Sequence, residues 1–505
     1  MNAQQEIPAG RQAAVEAVGS KPVPGDLREF IAACRAIGEV RDVEGADWDE
    51  EIGALTEATA ELLPNPPLIL FDRITGYPAG YRVASLPIST HRRCALAFGL
   101  PVDRSKLELT RLMARRVSQA QQHPLPPTEV PTGPVMENSF TGEQIDVLRL
   151  PVPRFHARDG GRYIGTGDCM INRDPESGFL NVGTYRMQVH EGNVLGLWTS
   201  PGQHGRQICQ RYWDRGRSCP VVVTFGGDPL TFLPSHTKLP WGVSELDVAG
   251  GMRGRPLEVV RGPLTGLPIP AQAEIAIEGE VPPPSEERRD EGPFGEWPGY
   301  YSGGTQGTGE AQPVIRVKAL YHRHDPIILN MAPMWTGAPT HGLRLDAALL
   351  WDQLESAGIQ DVAGVFVHYR YLIVVAIKQR YAGHARQAGM AVIACSASAR
   401  NGRYVVIVDE DIDPSNLNEV VWAMETRVDP ATDIQVVESC WTSPVDPRVP
   451  PEKRKARDHT GSRAIFYAVR PFLWKDKFPE VSRSSRDLRA AVVRKYASVL
   501  PFPQL

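Results

Sequence analysis

The stretch Gln122-His-Pro-Leu-Pro-Pro-Thr-Glu-Val-Pro-Thr-Gly-Pro134 constrains the fold most, because five prolines in thirteen residues interrupt it. A proline lacks the amide N–H that a helix or a central strand needs, so this segment connects two bodies and sets a boundary near residue 130. Upstream of it, Leu27, Phe30, Ile31, Cys34 and Ile37 recur at helical spacing, with Gly38 as a stop. A second amphipathic segment runs from about Trp48 to Leu63, where Pro64, Pro66 and Pro67 break it. Leu68-Ile-Leu-Phe-Asp-Arg-Ile74 then reads as a buried strand and 105–121 as another helix, so residues 1–130 are expected to form an α/β domain.

Downstream the texture changes. Between 131 and 335 short β-rich runs (RYIGTGDCMI, FLNVGTYRMQVH, CPVVVTFGG, AEIAIEGEV, VIRVKALYHR) are punctuated by Gly and Pro, the pattern of a barrel or sandwich. Gly-rich 303–309 reads as a hairpin loop. From 336 to 475 a helix over LDAALLWDQLESAG leads into alternating strand and helix, with VAGVFVHYRYLIVVAIK read as a strand and a helix expected after Asp413-Pro414. Residues 476–505 form a basic, Ser-containing tail that reads as a final helix reaching towards a partner subunit. The predicted class is multidomain α/β (α+β), a central barrel between two α/β regions.

Composition narrows the function classes. With 42% apolar and 23% charged residues in 505, the chain has the balance of a soluble globular protein rather than a disordered one. Its 55 basic and 59 acidic side chains leave a formal charge of −4, which gives no global attraction to nucleic acid or an anionic membrane. No run approaches the roughly 20 apolar residues that cross a bilayer, and the N-terminus lacks a signal-peptide core. The seven cysteines (Cys34, Cys94, Cys169, Cys209, Cys219, Cys395, Cys440) are odd in number and form no C-x-x-C, so neither a zinc knuckle nor a disulfide framework is expected; a reducing cytoplasm suits them.

Four places can carry chemistry. Arg186 lies in Asn181-Val-Gly-Thr-Tyr-Arg-Met-Gln-Val189, a run of mostly uncharged residues, where its planar fork suits a carboxylate: a substrate's, or that of a structural ion pair. His204 in Ser200-Pro-Gly-Gln-His and Glu245 in Pro240-Trp-Gly-Val-Ser-Glu can join an amide oxygen to hold a divalent ion with open positions for a phosphate. The spacing, 22 residues between Asn181 and His204 and 40 between His204 and Glu245, matches no compact metal motif. Glu291 and Glu296 bracket a Gly-Pro-Phe-Gly turn that fixes their separation. One acid can stay ionised against an arginine while apolar neighbours such as Phe294 and Trp297 keep the other neutral; a solvated acidic loop is the plain alternative. Lys378 closes the apolar run VVAIK, where it meets either a phosphate or solvent.

NVGTYRMQV, SPGQH, WGVSE, EGPFGEWPGY and VAIKQRYAGHARQ occur in the order and approximate spacing of the UbiD family of reversible decarboxylases, and the chain resembles that family best over 140–470. The resemblance implies prenylated FMN, a Mn²⁺ (or Mg²⁺) ion and K⁺, held in a flavin-reductase-like split barrel. A flavin prenyltransferase would be the cofactor's source, and the C-terminal domain would build a homodimer or homohexamer. It further implies that Asn181, His204 and Glu245 bind the metal, that Lys378 meets the cofactor phosphate, and that Thr184, Gln203 and Arg186 also contact the cofactor. Arg186, Glu291 and Glu296 would be the catalytic network, with Glu296 donating the proton to a product released from a covalent flavin adduct. A straight strand would place Asn181 and Arg186 about 17 Å apart on opposite faces, so a bend near Gly183 is required.

The expected substrate is an aromatic, heteroaromatic or α,β-unsaturated carboxylic acid. Residues 331–344 lie where the family lines its substrate pocket and depart from its familiar D-E-T-H-T form. Met334 and Trp335 suit an aromatic plane, and His341 or Arg344 a polar ring substituent; packing and a helix-start charge serve these residues equally well. An FMN oxidoreductase and a non-catalytic assembly partner are the competing classes, and the two-glutamate turn argues against both.

Overall fold

The computed structural model describes residues 22–500 except 201, 238, 303–310, 332, 334–341, 370 and 401. The first helix, Leu27–Ala36, starts at Asp26, whose side chain accepts the Glu29 N–H, and buries Leu27, Phe30, Ile31 and Cys34. Helix Lys106–Gln122 opens with a reciprocal capping box between Ser105 and Glu108. The Gly-rich loop at 303–309 lies outside the described residues.

The N-terminal sheet orders Val40–Glu44, Leu68–Asp72, Arg82–Ser85 and Ile327–Asn330. Its last strand comes from the far end of the segment expected to be wholly barrel, and pairs parallel to Arg82–Ser85. The N-terminal unit is therefore completed by chain some 240 residues downstream of its third strand.

The central sheet runs Arg162–Gly165, Met187–Glu191, Val194–Gly196, Val314–His322, Ile275–Val281, Cys219–Phe225, Asp168–Arg173, Leu180–Gly183, with Asn138–Thr141 also on Val314–His322. Two connections dictate its shape. Leu180–Gly183 and Met187–Glu191 stand six strand spacings apart in the sheet, about 29 Å if it were flat. Only Thr184, Tyr185 and Arg186 join them, a link that reaches about 15 Å at most. Arg162–Gly165 and Asp168–Arg173 are equally far apart and are joined by Thr166 and Gly167 alone. The sheet must curl until its edges nearly meet, and the chain crosses that seam twice. This is the expected split barrel, and the bend required after Gly183 is the second crossing.

The C-terminal sheet orders Val362–His368, Leu372–Ile377, Tyr404–Asp409, Thr460–Ala468 and Ile434–Trp441. The run read as one strand is a hairpin that turns at Tyr369 with φ +50°, an unusual conformation for a residue other than Gly. Helix Leu345–Ser356 packs on Lys106–Gln122, joining the C-terminal unit to the N-terminal one. Leu417–Arg427 is the helix expected after Asp413-Pro414, and Arg486–Tyr496 the one expected in the tail.

Candidate active site

The second seam crossing carries both ends of the site. At its downstream end, Arg186 begins the return into the sheet and its carbonyl accepts the Trp198 N–H at 3.0 Å. Its guanidinium grips Glu291 with two parallel bonds, Nε to Oε1 and Nη2 to Oε2, both 2.7 Å. Nη1 donates to Glu296 Oε1. The side chains are only 6%, 2% and 6% exposed for Arg186, Glu291 and Glu296. Burial works against the charged guanidinium, but Glu296 and Glu291 more than offset it, and its pKa lies above the ordinary arginine value. Trp198 and Phe294 cover its faces, with ring centroids at 4.6 and 4.8 Å.

The two acids are treated differently. Glu291 receives a third donor, the Tyr163 hydroxyl, at 3.0 Å from Oε1. Glu296 receives the Ser302 hydroxyl at 3.1 Å on the same Oε1 that meets Arg186, so its Oε2 takes no hydrogen bond from the described residues. The expected division, one acid on the arginine and the other among apolar rings, gives way to one guanidinium shared by both. The ring of Phe294 lies against Arg186 itself.

At the upstream end a pocket is lined by Asn181, Gln203, His204, Glu245 and Arg400. Asn181 is the second residue of the edge strand Leu180–Gly183, where its Nδ2 donates to Asn172 Oδ1 at 3.1 Å and leaves its own Oδ1 for another partner. His204 is the first residue of helix His204–Trp213, with its ring edge-on to Phe179 and Trp241. Glu245 opens helix Glu245–Arg253, and its Oε2 accepts the Val182 N–H at 2.8 Å. That helix sits close to its neighbours because a Cβ at Gly250 would lie 2.4 Å from Leu125 O. Burial pushes the Glu245 carboxyl up to about 8.

Tyr185, between the two ends, fastens the arrangement. Its hydroxyl accepts the Gly205 N–H at 3.1 Å, and its ring occupies the space a Cβ on Gly183 or Gly205 would need. A buried carboxylate beside an available amide oxygen and an imidazole suits a divalent cation, which would return Glu245 to its ionised form. Among the described residues no three His, Cys, Asp or Glu side chains gather to hold a metal. This set has two plus an amide, so a bound ion would need further oxygens from a ligand.

Three expected residues stand elsewhere. Thr184 uses its hydroxyl on the Asp168 carbonyl at 2.9 Å and on Ser235 Oγ at 2.7 Å, so it pins the seam and does not line the pocket. Lys378 is exposed just past strand Leu372–Ile377. The pocket's basic residue, Arg400, precedes strand Tyr404–Asp409, whose start pairs with Leu372. The two cations thus flank opposite ends of the sheet, beyond the two ends of a strand about 17 Å long. Arg344 sits at the start of helix Leu345–Ser356 and bonds Asp346 at 2.5 Å and the Tyr369 carbonyl at 3.1 Å, which is the helix-start role. Met334, Trp335 and His341 lie outside the described residues. The sequence reading missed Tyr163, Gln188, Tyr185 and Arg400; the first three lie inside motifs it quoted, in positions where only strand pairing reveals a role.

Comparison with known proteins places this geometry. Residues 31–117, 128–335 and 340–468 match, in turn, the N-terminal, Rift-related and C-terminal domains of 3-octaprenyl-4-hydroxybenzoate carboxy-lyase, UbiD. The phenolic acid decarboxylase of Bacillus subtilis (strain 168) is 34% identical over 434 residues, 84% of this chain and 89% of that protein. The chain belongs to the UbiD family. It is therefore an enzyme of the prenylated-FMN-dependent (de)carboxylases, a UbiD-type carboxy-lyase. A second relative, the pyrrole-2-carboxylic acid decarboxylase of Pseudomonas aeruginosa, is 31% identical over 93% of this chain and 96% of its own length. The UbiD-class enzyme HmfF from Pelotomaculum thermopropionicum, solved with FMN, superposes with a TM-score of 0.79 at 29% identity, covering 92% of this chain and 98% of that one. Among the described residues no helix is long and apolar enough to cross a membrane.

Proposed function

We propose that this UbiD enzyme catalyses the reversible, non-oxidative decarboxylation of an aromatic or heteroaromatic carboxylic acid at the Arg186–Glu291–Glu296 trio. The observation that carries the reading is the buried trio itself, one guanidinium shared by two carboxylates. Prenylated FMN, when bound, supplies the electron sink that lets CO₂ leave. The protein's part is placement, exclusion of water and one proton.

With both acids ionised the trio would bury a net negative charge, which the interior disfavours; one proton on the pair restores balance. Glu291, with three donors on its oxygens, is the poorer home for that proton. Glu296 Oε2 takes no hydrogen bond from the described residues, and there we place the proton that replaces CO₂ on the product, and that returns in the reverse direction. Trp198 and Phe294 keep water from the faces of the guanidinium, which strengthens its hold on both carboxylates.

At the other end, Asn181 Oδ1, His204 and Glu245 are the donors we assign to Mn²⁺ (or Mg²⁺), with Arg400 replacing Lys378 as the cation nearest the cofactor phosphate. The residues present fit these groups, since the buried Glu245 carboxyl calls for a countercharge and Arg400 brings a guanidinium to the same pocket. K⁺ belongs to the proposed cofactor set without an assigned donor group. A flavin prenyltransferase is the proposed cofactor source, and a homodimer or homohexamer the proposed assembly.

The relatives' names, a phenolic acid and a pyrrole carboxylic acid, favour a ring acid over an acrylic one. The test is production in cells that also make a flavin prenyltransferase, followed by the intact mass and absorption spectrum of the bound flavin. CO₂ release is then screened over phenolic acids, pyrrole-2-carboxylic acid, fused-ring acids and acrylic acids. Prenylated FMN with CO₂ release from a ring acid is expected; plain FMN and no CO₂ from any acid would overturn the reading.

A further inference from the structure

Behind the trio, on the side away from Glu296, a second layer of polar groups converges on Glu291. Tyr163 is fully buried in strand Arg162–Gly165, and its cross-strand partner is Gln188. Gln188 Oε1 lies 3.3 Å from the Tyr163 hydroxyl and accepts the Gly292 N–H at 3.0 Å, while its Nε2 donates to the Gly160 carbonyl at 2.9 Å. Gly160 N–H in turn donates to the Pro293 carbonyl at 2.7 Å. The approach is so close that a Cβ on Gly160 would lie 2.1 Å from Gly292 O. The Tyr163 ring packs on Phe294 at 4.3 Å between centroids, and Phe294 is one of the two rings covering Arg186.

A phenol has one proton to give, and here two side-chain oxygens compete for it. Gln188 Oε1 is already satisfied by Gly292 and stands farther off, so the nearer, charged acceptor, Glu291 Oε1, takes it. Burial, with Glu291 adding to it, pushes the Tyr163 pKa upward, so the hydroxyl keeps its proton and remains a donor.

We propose that Tyr163, seated by Gln188, is a positioning residue of the decarboxylation: its hydroxyl fixes Glu291 as the permanent anion of the trio and leaves Glu296 to exchange the proton. The proposal rests on the decarboxylase reading above. It explains why two similar acids on one arginine are not interchangeable. Arg186 touches both, whereas among the described residues the Tyr163 hydroxyl bonds Glu291 and not Glu296, and Gln188 holds Gly292, the residue next to Glu291.

The test compares holoenzymes carrying prenylated FMN: wild type, Tyr163→Phe, Gln188→Leu and the double variant, with pyrrole-2-carboxylic acid and 4-hydroxybenzoic acid as probes. Tyr163→Phe is expected to lower kcat about tenfold, the rate equivalent of one hydrogen bond to a charged group, with KM changed less than about twofold and flavin retained. The double variant should lose less than the product of the two single losses, because Tyr163 and the Gly292 N–H held by Gln188 both act on the placement of Glu291. Wild-type kcat in Tyr163→Phe, or additive losses in the double variant, would overturn the proposal.

A substrate-free arm reads the same contact and keeps this proposal separable from the decarboxylase reading. In the infrared difference spectrum of wild type against Tyr163→Phe, a carboxylate stretch should shift, and the shift should vanish in a Glu291→Gln background. No carboxylate shift overturns the positioning role even if the enzyme is active. A clear shift supports the contact even if neither probe acid is turned over, an outcome that counts against the substrate reading alone. Should Tyr163→Phe fail to fold, Gln188→Leu carries both measurements with the same expected direction.

Discussion

The two ends of the site differ in what they lack. At the Arg186 end the guanidinium and both carboxylates are joined to one another, and among the described residues Glu296 Oε2 alone of the four carboxylate oxygens accepts no hydrogen bond. At the Asn181 end the buried Glu245 carboxyl accepts the Val182 N–H but is in no ion pair among the described residues, and burial drives it towards its neutral form. One end is assembled before anything binds; the other is completed by what binds. The chemistry of a proton transfer rewards the first arrangement, because preset groups need no reorganisation during the reaction. Holding a cofactor that arrives from outside rewards the second.

The contrast can be broken at either end. Glu296→Gln should give the largest effect, a fall in single-turnover CO₂ release of about 10³-fold, within the range of a lost general acid, while the flavin absorbance of the purified protein stays as in wild type. Glu245→Ala should do the reverse: flavin affinity should drop by roughly 10- to 100-fold, and added Mn²⁺, expected to raise the melting temperature of the wild-type apoprotein, should no longer do so. If Glu296→Gln also lost flavin, the two ends would not be independent. Gly160→Ala, whose Cβ would collide with Gly292 O, should cost about 1–3 kcal/mol in denaturant unfolding and slow turnover by displacing Glu291. Arg400→Ala should weaken FMN binding about tenfold in a fluorescence titration, the loss of one charged contact, whereas Lys378→Ala should leave it within about twofold. Equal losses from the two would return Lys378 to the cofactor.

Much of this was readable from the residues. The proline-dense connection, the barrel texture and the Glu-Gly-Pro-Phe-Gly-Glu turn all depend on local backbone limits, which a sequence states directly. The need for a bend after Gly183 followed from strand parity, and the chain turns there to cross the seam. What stayed hidden depends on pairing between distant strands. Tyr163 meets Gln188 only because their strands are adjacent, and Ile327–Asn330 joins the N-terminal sheet by a parallel pairing that no local pattern announces. The Val362–Ile377 hairpin was concealed because its turn at Tyr369 uses neither Gly nor Pro and is flanked by apolar residues on both sides. Lys378 does stand at the end of its strand, as the run VVAIK indicates, and of the two partners open to it in the sequence, phosphate or solvent, its side chain is exposed.

The three-residue crossing at Thr184–Arg186 has a consequence for how this enzyme can vary. It works as a fixed gauge, since the same few peptide units set the separation between Asn181 and the arginine while keeping the barrel's edges together. One residue added or removed there would turn Met187–Glu191 inside out, moving lining side chains into the wall and wall side chains into the lining. Adaptation to new acids therefore has to occur on the opposite shore, in chain that can change length without disturbing the gauge, and the span from Asn181 to Arg186 should tolerate substitution far better than insertion.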